Sequence, residues 1–150
     1  MTTKSYPITD KQSWLENRLL DVTSTEVSAL FGLNPYQTEF ELYHQKKDKV
    51  VVSVPDSERM MWGRNLEDSI ALGFAEKYKM KVEQFDVYMR NPETRMGSSF
   101  DYKIVSEDEP MILEIKNVDG LAYRKNWIEY DEETISPPDH ISMQLQHQLE

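Results

Sequence analysis

One short segment constrains the fold of this chain most, the run Met-Ile-Leu-Glu-Ile-Lys at residues 111–116. Successive side chains of a β-strand point to opposite faces, so the run predicts a strand with its apolar residues on one face and Glu114 and Lys116 on the other. Two residues apart on one face, these side chains would stand about 6.5 to 7 Å apart. The segment therefore predicts an ion pair on an otherwise apolar strand.

A second predicted strand, residues 96–105, places another carboxylate near Glu114. Polar residues 106–109 and the following Pro110 are typical of a turn between antiparallel strands. A four-residue loop sets Asp101 opposite Glu114, with Cβ atoms about 4.5 to 5.5 Å apart. Carboxylates that close repel each other unless a cation, usually a divalent one, lies between them. The pair predicts a metal site with Lys116 at its rim, although solvated strand faces also show this spacing.

Composition and charge narrow the chemistry. The 150 residues suffice for one domain, and the absence of cysteine excludes disulfide frameworks, thiolate metal sites and thiol nucleophiles. A net charge of −10 argues against a protein that grips nucleic acid over its whole surface, but it allows an enzyme with a focused basic track. The candidate cations for that track are Arg18, Lys46, Lys47, Lys49, Arg124 and Lys125. The polar N-terminus and the lack of a long apolar stretch predict a cytoplasmic protein without a membrane span.

Helical and strand patterns follow one another along the chain, which predicts an α/β fold. A capping-box pattern at residues 23–26 opens a short helix that Gly32 ends, and Asn34 and Pro35 then form a turn. A helix at residues 39–45 is expected to pack Phe40 and Tyr43 inward. The remaining predicted elements are a mobile connection around residues 50–57, a helix over 58–78, and strands near 82–89, 96–105 and 111–118.

Two predicted helices place polar residues on inner faces. In helix 58–78, Glu67 is expected to share the buried face with Ile70, Ala71 and Phe74, where a carboxylate is costly without a partner. From that face Glu67 can reach the Asp101 and Glu114 pair, whereas at the edge of the face it would reach solvent.

The C-terminal segment opens with two prolines that suit a helix start, and Ile141 and Leu145 mark its packed face. The nearby Gln144 and Gln148 can orient a metal-bound water or a carboxylate, but the pattern alone favours plain helix-surface positions.

Six motifs in one order resemble the phage lambda exonuclease family, in its YqaJ-like viral recombinase branch, within the PD-(D/E)XK nuclease superfamily. They are Arg18 followed by the helix start Val22-Thr23-Ser24-Thr25-Glu26, the turn from Gly32 to Tyr36, the helix Trp62-Gly63-Arg64-Asn65-Leu66-Glu67, the strand Ser99-Phe100-Asp101, the strand Glu114-Ile115-Lys116, and the glutamine-rich run at residues 144–148. The similarity runs from residue 14 to residue 149. Tyr102 and Asp21 stand where the family often has glycine.

The resemblance implies one nuclease domain with a PD-(D/E)XK restriction-endonuclease-like core, in which helices flank a central mixed sheet. It implies a metal-dependent phosphodiester hydrolase that degrades double-stranded DNA from its ends, 5′ to 3′. The exposed strand would pass to a recombination partner such as a single-strand annealing protein. Mg²⁺ or Mn²⁺ is the expected metal, and a homo-oligomer is expected for the full-length protein, since ring-shaped oligomers are common in this family. Because the family continues past the glutamine-rich helix, the chain is expected to lack its C-terminal strands and last helix.

The resemblance also implies a role for each matching residue. Asp101 and Glu114 would bind metal, Glu67 would complete its shell, Lys116 would position and activate the attacking water, Gln144 would orient the site, and Arg18 and Thr25 would hold a terminal phosphate. Two other functions stay open at this point. One is a non-catalytic DNA-end or protein-interaction module on the same fold, and the other is an endonuclease.

Overall fold

A computed structural model describes residues 3–51, 55–106, 109, 111–131 and 134–150. The chain divides into two compact units. The first comprises Met1–Val52, Val87–Ser99 and Asp119–Glu150, and the second comprises Ser53–Asp86 and Phe100–Val118. Two predicted segments lie partly outside the described residues. They are the connection at residues 50–57 and the turn at residues 106–109 with the following Pro110.

Within these ranges the structure contains five α-helices and one 3₁₀ helix. The α-helices are α1 (Lys11–Leu19), α2 (Glu39–Lys47), α3 (Glu58–Tyr78), α4 (Gly120–Asn126) and α5 (Asp139–Leu149). The 3₁₀ helix, Val27–Phe31, lies between α1 and α2 in sequence. None of the helices in the described ranges is long and apolar enough to cross a membrane.

The strands in the described part of the chain form three sheets. They are β1 (Lys4–Pro7), β2 (Val22–Thr23), β3 (Lys81–Gln84), β4 (Val87–Asn91), β5 (Met96–Ser99), β6 (Tyr102–Val105), β7 (Met111–Leu113), β8 (Ile128–Glu129) and β9 (Ile135–Ser136). In the first unit the order is β1-β4-β5-β2, with a parallel β2–β5 pair beside antiparallel neighbours, and β8 and β9 form a separate antiparallel pair. The second unit holds the antiparallel sheet β3-β6-β7. The predicted α/β class with a mixed sheet is confirmed.

Two strands predicted as continuous are each divided between two sheets. The first break separates β3 from β4 at Phe85 and Asp86. The second separates β5 from β6 at Phe100 and Asp101. The two breaks adjoin, because the Phe85 N–H donates to the Asp101 carbonyl oxygen at 3.1 Å and the rings of Phe85 and Phe100 lie 5.3 Å apart. The prediction of unbroken strands was wrong, because Phe85-Asp86 and Phe100-Asp101 separate strands of different sheets and neither pair is a typical turn sequence.

A buried ion pair ties together the first unit. Asp21 Oδ2 accepts hydrogen bonds from Arg90 Nε at 2.6 Å and from the Tyr88 hydroxyl at 2.8 Å, while Arg90 Nη2 donates to the carbonyl oxygen of Asn17 at 3.0 Å. A Cβ on Gly97 would lie 1.9 Å from the Tyr88 hydroxyl oxygen, so only glycine leaves room for this group. Removing one partner of such a buried pair typically costs about 3–5 kcal/mol. Asp21 is therefore a structural residue where the family often has glycine.

The predicted helix start and turn are present, but the packed face of α2 is not the predicted one. Glu26 Oε2 accepts from the Thr23 N–H at 2.9 Å, the 3₁₀ helix ends at Gly32 with φ 67°, and Asn34 Oδ1 accepts from the Tyr36 N–H at 2.9 Å. Along α2 it is Leu42 that is buried. The predicted inward packing of Phe40 and Tyr43 is wrong, because both side chains are exposed.

Candidate active site

The register of β6 and β7 brings two carboxylates to one end of a strand pair. Tyr102 stands opposite Leu113 and Ile104 stands opposite Met111, which is the register that the four-residue loop predicts. Asp101 and Glu114 are the next residues beyond this ladder. The sequence therefore predicted the pairing correctly, although β7 ends earlier than expected.

The early end of β7 has a local cause. The Ile115 N–H, which a longer strand would offer to its neighbour, donates to Asp101 Oδ2 at 2.7 Å. On the other side of the chain, Lys116 Nζ donates to Glu114 Oε1 at 2.5 Å, so these two side chains meet as the alternation predicts. The Glu114 side chain is 8% exposed and that of Lys116 is 29% exposed. The ammonium group is thus the more accessible half of the pair.

Glu67 lies on the inward face of α3. The residues of α3 with reduced exposure are Gly63, Glu67, Ala71, Phe74 and Ala75. Three of these five residues are glycine or alanine, so the backbone of α3 can approach β3 closely on this face. The predicted neighbour Ile70 is 40% exposed and lies off this face.

The carboxylates of this second unit act on one another electrostatically. Burial raises the pKa of Asp101, and the negative charge of Glu114 raises it further, while the Ile115 N–H and Lys116 oppose the shift. Burial likewise raises the pKa of Glu67, followed by the charges of Asp101, Asp68 and Glu114. Each charged form is therefore held in an unfavourable environment.

The donor chemistry fits a hard divalent cation. Every candidate ligand is a carboxylate, which is the ligand type that Mg²⁺ and Mn²⁺ prefer, and a cation would relieve the mutual repulsion. In the part of the chain that the structure describes, no three His, Cys, Asp or Glu side chains already form a group able to hold a metal ion. Glu67, Asp101 and Glu114 are thus electrostatic neighbours and not a preassembled cage.

A hydrogen-bonded clamp joins the elements that carry these carboxylates. The hydroxyl of Tyr102, the residue after Asp101, donates to Asp68 Oδ1, and Asp68 follows Glu67 on α3. Gln84 Nε2 on β3 donates to the same oxygen at 3.3 Å. Burial and the bond to Asp68 raise the pKa of Tyr102 to about 12. In the sequence Tyr102 is recognisable only as a departure from the family pattern. No local pattern predicts its contact with Asp68 on α3, because the two residues are 34 positions apart.

The predicted phosphate-binding residues meet in the first unit. Arg18 Nη2 donates to Thr25 Oγ1 at 3.0 Å and to Thr23 Oγ1 at 3.2 Å, and it lies 3.8 Å from Glu26 Oε1. The guanidinium carbon stands 4.7 Å from the centre of the Trp14 ring. Arg18 and Thr25 therefore form one cluster, and its position is fixed by an aromatic ring and a carboxylate.

Lys46 belongs to this cluster, which the sequence did not reveal. Its Nζ donates to Glu26 Oε2 at 2.7 Å and to the Arg18 carbonyl oxygen at 2.8 Å. Burial lowers the pKa of Lys46, and Glu26 opposes that shift. Lys46 was expected to be a cation of a basic track, but it is a tether between α2 and the segment carrying Arg18.

The glutamines of α5 are buried, so their expected helix-surface positions are wrong. Gln144, His147 and Gln148 are more buried than Ile141 or Leu145. Gln148 Nε2 donates to the Ser99 carbonyl oxygen at 3.2 Å. Gln144 belongs to the first unit, whereas the carboxylates belong to the second, and its orienting role stays a prediction.

His147 explains part of this burial. Its Nε2 donates to the Val22 carbonyl oxygen at 3.1 Å, and its Nδ1 accepts from the Ser98 hydroxyl at 3.1 Å. Burial lowers the pKa of His147. The neutral ring thus links α5 to strands β2 and β5, which explains why the polar side of α5 faces inward.

Comparisons with known proteins agree with these motifs. A model of the YqaJ-like viral recombinase domain matches residues 13–150. The chain is 33% identical over 156 residues to a Bacillus subtilis (strain 168) protein described as uncharacterized protein YqaJ, with 99% of this chain and 46% of that protein covered. The chain spans less than half the length of this relative.

Replacing Asp101 by asparagine tests the repulsion between the carboxylates. Because the native state holds the Asp101 proton more tightly than the unfolded state does, native stability falls as pH rises above the ordinary value of 3.8 and through the raised pKa. At pH 7, without metal, Asp101→Asn should leave the free energy of unfolding unchanged or raise it by up to about 1 kcal/mol. Thermal and denaturant melts at several pH values measure this.

Glu83→Gln is the matched control on the same sheet, because hydrogen bonds from Lys81 and Lys103 lower the pKa of Glu83. That change should reduce stability slightly at pH 7. Added Mn²⁺ should raise the melting temperature of the wild type more than that of Asp101→Asn, since a ligand of the native state stabilises in proportion to its affinity. Identical metal responses in the two proteins would refute the carboxylate cluster.

Proposed function

Because the chain belongs to the YqaJ-like viral recombinase domain family, we propose that it is a metal-dependent deoxyribonuclease of phage-type recombination. Its substrate would be double-stranded DNA, degraded from the ends in the 5′ to 3′ direction. The observation that carries the proposal is the placement of Asp101 and Glu114 at one end of a strand pair with Lys116 beside them. A module that only binds DNA gains little from neighbouring carboxylates, which repel phosphate.

Phosphodiester hydrolysis needs a nucleophile near neutral pH and stabilisation of charge on the phosphate. Asp101 and Glu114 would hold Mg²⁺ or Mn²⁺, with Glu67 completing the ligands. A bound cation of this kind lowers the pKa of water and polarises a phosphoryl oxygen. Lys116, which pairs with Glu114 and is partly exposed, would orient the attacking water and stabilise developing negative charge.

The Arg18 cluster supports recognition of a DNA end. A guanidinium matches the geometry of a phosphate, and the hydroxyls of Thr23 and Thr25 add donors next to it. Glu26 and Trp14 hold the guanidinium in place, which lowers the conformational entropy lost on binding. In the proposal this cluster holds the 5′-phosphate of the strand being digested. The remaining strand would pass to a single-strand annealing protein, and the active form would be a homo-oligomer.

Loss of the Lys116 ammonium group tests the catalytic part of the proposal. Lys116→Ala should reduce hydrolysis of linear duplex in Mg²⁺ or Mn²⁺ by at least about 100-fold, the size of a typical general acid–base contribution, while the far-ultraviolet circular dichroism spectrum stays that of the folded wild type. Release of labelled nucleotide measures the rate. Lys103→Ala is the control, because Lys103 lies on β6 of the same unit and pairs with Glu83. Cleavage that continues undiminished in excess chelator would show that hydrolysis does not require a metal ion.

The Arg18 cluster predicts a preference for DNA ends that carry a 5′-phosphate. Linear duplex with 5′-phosphates should be digested faster than the same duplex with 5′-hydroxyls, and Arg18→Ala should abolish the difference because the guanidinium contact is lost. Lys11→Ala provides a control at the other end of α1. Equal wild-type rates on the two substrates would show that the Arg18 cluster is not the phosphate site.

A further inference from the structure

The outward face of α2 carries exposed rings beside a lysine. Phe40, Tyr43, His44 and Lys47 are spaced by three and four residues, so they share one side of the helix, and Leu42 on the opposite side is buried. The Phe40 side chain is 71% exposed and that of Tyr43 is 58% exposed. We call these four residues the α2 stripe.

The rings of the α2 stripe form a continuous surface. The ring centres of Phe40 and His44 lie 4.4 Å apart, and those of Tyr43 and His44 lie 5.3 Å apart with perpendicular planes. Lys47 Nζ lies 5.6 Å from the centre of the Tyr43 ring. The exposed rings therefore lie side by side along α2, with the Lys47 ammonium group beside one of them.

Charge changes sign along the stripe. Glu39 lies in the first turn of α2, whereas Lys47 in the last turn and the following Lys49 are exposed cations. Asp48 between them pairs with His44, with 3.5 Å between Nδ1 and Oδ2. In a protein of net charge −10, the exposed Lys47 and Lys49 outnumber Asp48 at this end of α2, and a local excess of positive charge attracts phosphate.

The α2 stripe is held in a fixed relation to the phosphate cluster of the same unit. Lys46 follows Gln45 on the packed side of α2 and donates to both the Arg18 carbonyl oxygen and Glu26. Leu42 is buried on that side as well. The buried Leu42 and the two hydrogen bonds of Lys46 therefore anchor the helix, and the exposed rings lie on its other side.

We propose that the α2 stripe binds unpaired nucleotides of DNA, with bases stacked on Phe40 and Tyr43 and a phosphate next to Lys47. Exposed rings combined with cations bind single strands without sequence preference, because every base has a π-face. Bases inside a duplex have no free face to offer. The choice of DNA as the ligand rests on the proposed function, to which the α2 stripe adds recognition of the single strand. A protein partner is the less favoured occupant, since the apolar core of a protein interface is depleted of lysine.

Binding of two oligomers in chelator, where no cleavage occurs, tests this inference. The probes are fluorescently labelled oligothymidylate of about 12 nucleotides and an abasic oligomer of the same length, within the range of single-strand site sizes. Phe40→Ala and Tyr43→Ala should each weaken oligothymidylate binding by about 5- to 150-fold, and they should leave abasic binding unchanged. Lys47→Ala should weaken both oligomers and reduce the salt dependence. Fluorescence anisotropy measures all of these affinities.

Two further variants make the test specific. Tyr130→Ala removes another exposed tyrosine of the same unit and should not change oligothymidylate binding. Phe40→Trp keeps an aromatic ring at this position and should retain the binding that Phe40→Ala loses. Equal wild-type affinity for the two oligomers, or full affinity after loss of either ring, would overturn the inference. Ring variants that change only the oligomeric state in light scattering, with oligothymidylate binding intact, would assign the α2 stripe to a protein contact and overturn it as well.

Digestion of linear duplex by the same variants separates the two proposals. If the wild type does not digest duplex but its oligothymidylate affinity depends on Phe40 and Tyr43, the proposed function fails and the α2 stripe stands. If the wild type digests duplex from its ends while ring variants bind oligothymidylate normally, the nuclease stands and the α2 stripe fails.

Discussion

The hydrogen bond from the Ile115 N–H to the Asp101 carboxylate is the interaction on which the candidate site depends. With Ile115 bonded in this way, β7 ends just before Glu114 and the residues that follow leave the ladder. The same bond fixes the Asp101 carboxylate just before β6 begins. It also lowers the pKa of Asp101, in opposition to burial and to Glu114. One backbone donor thus helps to keep a charged group in a place where its environment disfavours charge.

The second unit is arranged to tolerate this repulsion. Lys116 compensates Glu114 directly, and the bond from Tyr102 to Asp68 joins β6 to α3 one residue away from each of Asp101 and Glu67. A site that concentrates negative charge needs such supports, because unpaired carboxylates would otherwise push the elements apart. The same charge makes the site a good ligand set for a divalent cation and a poor surface for bare DNA.

Short-range signals predicted much of this arrangement. The loop length predicted the register of β6 and β7, and α3 spans the predicted residues 58–78. Features set by distant partners were missed. Lys46 is buried because Glu26 lies beside it, the glutamines of α5 face inward because His147 bonds to β2 and β5, and Phe40 is exposed although its spacing suits a packed face. No local pattern distinguishes these outcomes, because each depends on residues far away in sequence.

In the function that we propose, these carboxylates and Lys116 serve a nuclease that acts on DNA ends. The most direct measurement supplies the protein with Mg²⁺ and equal amounts of one duplex in linear and in covalently closed circular form, and follows both by gel and by released nucleotides. We expect the linear duplex to shorten progressively from its ends while the circle stays intact. A circle that is opened as fast as the linear duplex is degraded, or a linear duplex that stays intact, would contradict it.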